Sequence, residues 1–226
     1  MDSTIELLWG VRQPPNRGPK PAFTLEDIAT AAIRIADAEG LAALSMQRVA
    51  GELGFTKMAL YRYVSARAEL IAVMIEQAVG QPPGLDAIPG GWRGKLHHWA
   101  HRLWATWDRH PWLPAATTGE RIMGPQETGW TETAVAALTD TGLTGSEQMD
   151  AVLLLSGHVR NTQSTTSAGT QPWHGRHQLN PTFTDRFPAL NAAIASAGNP
   201  TPDQSREFGL QRLLDGLEVL ITQRTR

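Results

Sequence analysis

Leu44–Leu70, LSMQRVAGELGFTKMALYRYVSARAEL, is the stretch that decides the fold. Ser45 stands where a hydroxyl can cap a short helix whose inward residues are Met46, Val49, Ala50 and Leu53. Gly54 follows at once, at a left-handed position that suits a residue without a Cβ. After Phe55, Thr56 can cap a second short helix through Leu60 to Tyr63, leaving a turn of about three or four residues, the spacing of a helix-turn-helix. Leu60 and Val64 must point inward to hold that turn. Lys57, Met58, Tyr61, Arg62 and Tyr63 are therefore predicted to lie outside, and the set suits a DNA major groove. Its cations can meet phosphates or guanine edges, its tyrosines phosphates, and its methionine thymine methyls. From Gly40 to Ala68 the charges are Arg48, Lys57, Arg62 and Arg67 against a single acid, Glu52. The alternative is a small helical bundle with a solvated charged face.

Working outward, Thr24 with Asp27 three residues on forms a capping box. It opens a helix with Leu25, Ile28, Ala29, Ala32 and Ala36 along one face and Gly40 as its stop. A further helix from about Ala66 to Val79 is predicted to bury Leu70, Ile71, Met74, Ile75 and Ala78. Upstream, Val11–Pro21 carries four prolines with Arg12, Arg17 and Lys20 and no acid, the composition of an extended basic arm. Arg17 and Lys20 would follow the DNA backbone or enter the minor groove; otherwise the arm is a tether. Gln81-Pro-Pro-Gly84 and Gly90-Gly91 mark a second break. The expected organisation is all-α: an arm over 1–22, a helix-turn-helix head of three short helices over 23–80, and a larger helical bundle over 81–226.

Leu44–Leu70 resembles the DNA-binding segment of the TetR (tetracycline-repressor-like) regulators, with a Gly ending the second helix and a Leu-Tyr-Arg-Tyr-Val run in the third. ELLWG at 6–10 and RGPKPAFTLEDIATAAIRIADAEG at 17–40 resemble the branch that shares the tetracycline-repressor type of C-terminal domain. The resemblance implies that Ser45 and Gln47 touch the backbone or a nearby base. It also implies that Thr56 caps the recognition helix, that Lys57, Met58, Tyr61, Arg62 and Tyr63 form the groove face, and that Arg67 holds a phosphate. Met58 and Ala59 stand where many members carry Pro-Thr or similar, so base preference does not carry over.

Past Gly91 the helical spacing continues and tryptophan dominates, with Trp92, Trp99, Trp104, Trp107 and Trp112 in one short stretch and Trp130 and Trp173 later. Singly each could be core. Together with Leu103 and Met123, Trp99, Trp107, Trp112, Trp130 and Trp173 suggest an apolar pocket for a flat or greasy small molecule. A helix opening at Ser146 is apolar through Leu155 and then runs into His158, Asn161, Thr162, Gln163, Ser164 and Thr165, groups costly to bury without partners. His158, Asn161 and Thr165 are the candidates to face ligand, and the resemblance places this helix both at the pocket and at a dimer seam. The last helix, capped by Thr201 with Pro202 first and Gln204 completing a box, carries Leu210, Leu213, Leu214, Leu217, Leu220 and Ile221. That stripe is either core or the seam of a homodimer. The seam is favoured because helix-turn-helix proteins read paired half-sites, and Gly209 and Gly216 would admit a partner helix.

Composition excludes other classes. The chain has 226 residues, 41% apolar and 19% charged, with a formal charge of -2 and no cysteine, so disulfides, thiol nucleophiles and thiolate metal sites are absent. No basic leader and no run of about 18 uncharged apolar residues occurs, which points to a cytoplasmic protein without a membrane partner. His97 and His101 are spaced i, i+4 but have no carboxylate in their helix before Asp108, so no metal is expected. Pro89-Gly-Gly-Trp-Arg-Gly-Lys95 lacks the first Gly and the final Ser or Thr of a phosphate loop, and no Gly-x-Ser-x-Gly elbow occurs. The expectation is a non-enzymatic, cofactor-free repressor that binds double-stranded DNA and a small-molecule effector. The alternatives are a helical small-molecule-binding protein or enzyme retaining a non-functional head, and an adaptor whose head binds protein.

Overall fold

The computed structural model describes residues 3–10, 23–168, 186–197 and 202–224. Among the described residues all regular structure is helical, as expected: α1 Ser3–Leu8, α2 Leu25–Glu39, α3 Met46–Glu52, α4 Lys57–Leu60, α5 Arg67–Val79, α6 Gly91–Arg109, α7 Leu113–Ala116, α8 Pro125–Ala136, α9 Gly145–Ala168, α10 Pro188–Ala197 and α11 Pro202–Arg224. A 3-10 turn, Leu41–Ala43, joins α2 to α3. The chain forms two compact units, residues 1–143 and 144–226. Packing in the first unit runs straight across the compositional break at residue 80, because α5 lies on α8 as well as on α2.

In the first unit, α2 starts on a reciprocal box. The Thr24 hydroxyl accepts from the Asp27 amide at 3.1 Å and the Asp27 carboxylate accepts from the Thr24 amide at 2.7 Å. These bonds hold the Asp27 carboxyl below its ordinary range. Ile28, Val49, Leu60, Leu70, Met74 and Ile75 are wholly buried and join α2, α3, α4 and α5 into one core. Ile71, expected in the core, is half-buried, and Val73 and Val79 are buried instead, which turns the inward face of α5 by part of a turn.

Within the segment expected as an arm over 1–22, Ser3–Leu8 is a helix packed on α5, and residues 11–22 lie outside the described residues. The Ser3 hydroxyl donates to the buried Glu69 carboxylate, which also accepts from the Ser65 amide at 2.6 Å. The Trp9 indole donates to the Met123 carbonyl at 3.2 Å.

Further along the unit, Glu76 of α5 caps α8 from outside. Its carboxylate accepts from the amides of Gln126 at 2.8 Å and Glu127 at 3.2 Å, two donors left over at a helix N-terminus. The Trp130 indole donates to the carbonyls of Val79 and Gly80 at the same C-terminal end of α5.

The second unit pairs α9 with α11. Thr144 and Glu147 form a capping box at the start of α9. Glu147 also accepts from Arg224 at 2.5 Å, so the start of α9 meets the end of α11 and the two helices run antiparallel. The Thr144 amide first, and then the Arg224 guanidinium, keep the Glu147 carboxyl below its ordinary range. Leu155, Val159, Leu210 and Leu214 are buried. At Gly209 a Cβ would stand 2.1 Å from Cε1 of His158, so this position admits the imidazole of the neighbouring helix.

The stripe of the last helix is buried in part by the chain itself. Leu210, Leu214 and Ile221 are already buried within the chain, while Leu213, Leu217 and Leu220 are half-buried. Gly209 receives His158 of the same chain rather than a partner helix, whereas at Gly216 a Cβ would meet open space. α9 offers its apolar face to Leu210, Leu214 and Ile221. A second apolar face points outward, with Met149, Leu153 and Leu154 on α9 and Phe208 and Val219 on α11 all exposed.

Candidate nucleic-acid interface

The recognition turn is built from caps. The Ser45 hydroxyl accepts from the Arg48 amide at 3.2 Å, and the Thr56 hydroxyl from the Ala59 amide at 3.3 Å. Gly54, at φ +71°, reverses the chain between them in the left-handed region. The second helix is shorter than expected: α4 ends at Leu60, and residues 61–63 continue as a turn. Leu60 and Val64 are buried beneath it, as the turn requires.

Above that floor the side chains fan outward. Ser45, Gln47, Thr56, Lys57, Met58, Tyr61, Arg62 and Arg67 are all exposed, Met58 to 73%. The Lys57 ammonium lies 5.6 Å from the centre of the Tyr61 ring, a cation–π contact that draws the two into one patch. A methionine left this far in water between a lysine and a tyrosine contributes nothing to the core.

Two residues stand differently from expectation. Tyr63, expected outside, is half-buried, with its ring 4.7 Å from Phe23, which in turn lies 4.4 Å from Phe55. This aromatic trio closes the space between the chain entering α2 and the recognition turn, so Tyr63 offers the groove at most its hydroxyl end. Arg67 donates from Nε to the Leu44 carbonyl at 3.2 Å and from Nη2 to the Leu41 carbonyl at 2.8 Å. Its guanidinium thus ties the start of α5 to the turn before α3. Arg48 is committed too, in a two-pronged pair with Glu39 that lowers the glutamate's pKa. Arg17 and Lys20 lie outside the described residues.

The candidate effector residues fall in both units. In the first, Trp99, Leu103, Trp107, Trp112 and Trp130 are buried, while Met123 is exposed. Trp99 and Trp130 meet edge to face at 6.2 Å, and the Trp99 indole donates to the Trp130 carbonyl at 2.9 Å. In the second, His158 bonds the Arg206 carbonyl at 2.8 Å and Asn161 is exposed. Thr162 bonds back to the His158 carbonyl at 2.8 Å, and Gln163 accepts from Arg206. The polar run of α9 therefore finds partners on its own turn and on α11. Thr165 lies in α9 with its side chain outside the description, and Trp173 and Thr201 lie outside the described residues. No described helix is long and apolar enough to cross a membrane.

Comparison with known proteins agrees with this geometry. Residues 86–221 match the family model described as the tetracyclin repressor-like C-terminal domain. The chain is 38% identical to the HTH-type transcriptional repressor DrrR1 of Streptomyces coeruleorubidus, over 98% of this chain and 87% of that protein. Its fold is similar to apo ActR of Streptomyces coelicolor at a TM-score of 0.74 and 26% identity, covering 91% of this chain and 99% of ActR. ActR solved in complex with actinorhodin gives the same TM-score at 25% identity, covering 87% of this chain and 95% of that one.

Proposed function

The chain belongs to the tetracycline-repressor-like family of DNA-binding transcriptional regulators, and from that premise we propose a homodimeric repressor that reads a pseudo-palindromic operator and is released by a flat, largely apolar effector. The family is regulatory rather than catalytic. The observation that carries the reading is the recognition turn, whose apolar residues Leu60 and Val64 are spent on packing while Lys57, Met58, Tyr61 and Arg62 face solvent together.

The homodimer is supported by the outward apolar face of α9 and α11. Leu153 at 70% and Phe208 at 67% exposure, with Leu154, Met149 and Val219, form a surface that water disfavours and a second copy would cover. Gly216, open to solvent in the same face, would let the partner backbone approach. For the effector, the support is the set of buried indoles at Trp99, Trp107, Trp112 and Trp130, together with the actinorhodin bound to ActR. A ligand that favours a body conformation with the heads misplaced would lower operator affinity by its differential binding energy.

Selection of bound duplexes from a random pool at physiological salt tests the reading. An enriched inverted repeat is the expected result. A folded dimer that enriches no sequence would overturn it.

A further inference from the structure

The head meets the following helices of the first unit along α5 and at the end of α2. Along α5 the attachment is broad: it packs on α8, Glu76 caps α8, and Trp130 bonds the carbonyls of Val79 and Gly80. At the far end of α2 a carboxylate makes the hydrogen-bonded attachment. Asp37 accepts from the Trp112 indole at 2.7 Å and faces Nδ1 of His110 at 2.9 Å and 3.1 Å. A carboxylate only accepts, so this Nδ1 carries hydrogen.

Both donors come from the corner between α6 and α7. His110 is the C-cap of α6, with its amide on the Thr106 carbonyl at 3.1 Å, and its own carbonyl accepts from Leu113 at 2.9 Å. Trp112 is buried, so its indole is fixed by packing, and the two rings stand 6.1 Å apart on one carboxylate. On α2, Thr30 bonds Gln77 of α5 at 2.7 Å. Asp37 lies seven residues further, about 10 Å along the axis at the usual helical rise. The broad contact near Thr30 can serve as a pivot, and Asp37 stands a lever's length away from it.

We infer that the grip of His110 and Trp112 on Asp37 fixes the tilt of the head, and that this tilt selects the spacing between half-sites which the dimer accepts. The inference rests on the operator-binding reading above and adds positioning residues to it. None of the three need touch DNA. One inserted base pair turns a half-site by about 35°, so a dimer with firmly held heads must strain to follow it. A head free to tilt about α5 can follow with less strain.

The test uses the full chain and the inverted repeat recovered by the wild type, with the same repeat carrying one base pair more or one fewer at its centre. Asp37→Asn keeps an acceptor for Trp112 but removes the charge facing His110, and Trp112→Phe keeps the ring but removes the donor. The penalty for a changed spacing, the ratio of Kd values, is expected to fall by about tenfold in both variants, within the usual range of coupling between sites. The double variant should fall no further than the larger single effect. A general loss of stability would weaken binding at every spacing equally and leave the ratio alone. Wild-type ratios in folded variants overturn the inference while leaving the operator reading intact. If Trp112→Phe does not fold, Asp37→Asn decides alone. Failure of the wild type to enrich any repeat defeats both readings.

Discussion

The recognition turn and the α9–α11 pair are both helix–helix contacts rich in apolar residues, one local and one between helices more than thirty residues apart in sequence, and they divide inside from outside in different ways. In the turn the division is by chemistry: Met46, Val49, Leu60 and Val64 go in, and Gln47, Lys57, Tyr61 and Arg62 stay out. In the helix pair both faces are apolar. Leu210, Leu214 and Ile221 go in, while Leu153, Leu154, Phe208 and Val219 stay out. A surface that is apolar on both sides leaves room for a further layer, and the difference is the one expected between a region that meets a polar polymer and one that meets more protein, as proposed above.

The sharpest way to break that division is to exchange the roles of the two faces. Leu214→Ala removes a wholly buried side chain and should cost about 2–5 kcal/mol in urea unfolding. Leu153→Ser with Phe208→Ser should leave the helical content unchanged and convert the proposed dimer to monomer in sedimentation velocity. If Leu214→Ala dissociated the dimer without loss of stability, the inner stripe would be the seam after all.

Next in size are the outward residues of the turn. Lys57→Ala and Tyr61→Ala should each weaken binding to the selected repeat by about 1–3 kcal/mol, with the unfolding midpoint unchanged. Arg67 sharpens the comparison because it belongs to both sides. Arg62→Ala should lower only DNA affinity and its salt dependence. Arg67→Ala should also lower thermal stability, because it frees the carbonyls of Leu41 and Leu44. Equal melting temperatures for the two variants would remove Arg67 from the architecture.

The legible parts of this fold are those whose signals are local. Thr24 with Asp27, Gly40, Ser45, Gly54 and Thr56 are helix ends that can be read within four residues, and all five stand where their chemistry puts them. Thr144 with Glu147 was equally readable and gives the true start of α9. Periodicity found the stripe of α11 but could not say which copy of the chain buries it, since that depends on the apolar face of α9. Tyr63 looked free because its partner Phe23 lies forty residues earlier. Asp37 and Glu76 carried no local signal at all, since their donors lie more than seventy and about fifty residues away.

Glu76 gives the smallest expected effect and bears on the same contrast, because it is a charge that packing has drawn inward on a helix of the head. Burial, more than any neighbour, raises its pKa; the Gln126 and Glu127 amides oppose the shift, the Glu127 carboxylate adds to it and Arg121 opposes it. A raised value means that the native chain holds this proton more tightly than the unfolded chain does. Stability attributable to Glu76 is therefore lost as pH rises from the ordinary glutamate range through the raised value, and is regained on acidification. The Glu76→Gln variant keeps an acceptor for the α8 amides but has nothing to titrate there. Unfolding free energies of wild type and variant, measured from neutral pH downward, should converge or cross in favour of the wild type as pH falls through that window. A constant difference would mean that the carboxylate costs no more here than it does in water. The cap of α8 would then belong with the local, legible ends of the head rather than with its buried contacts.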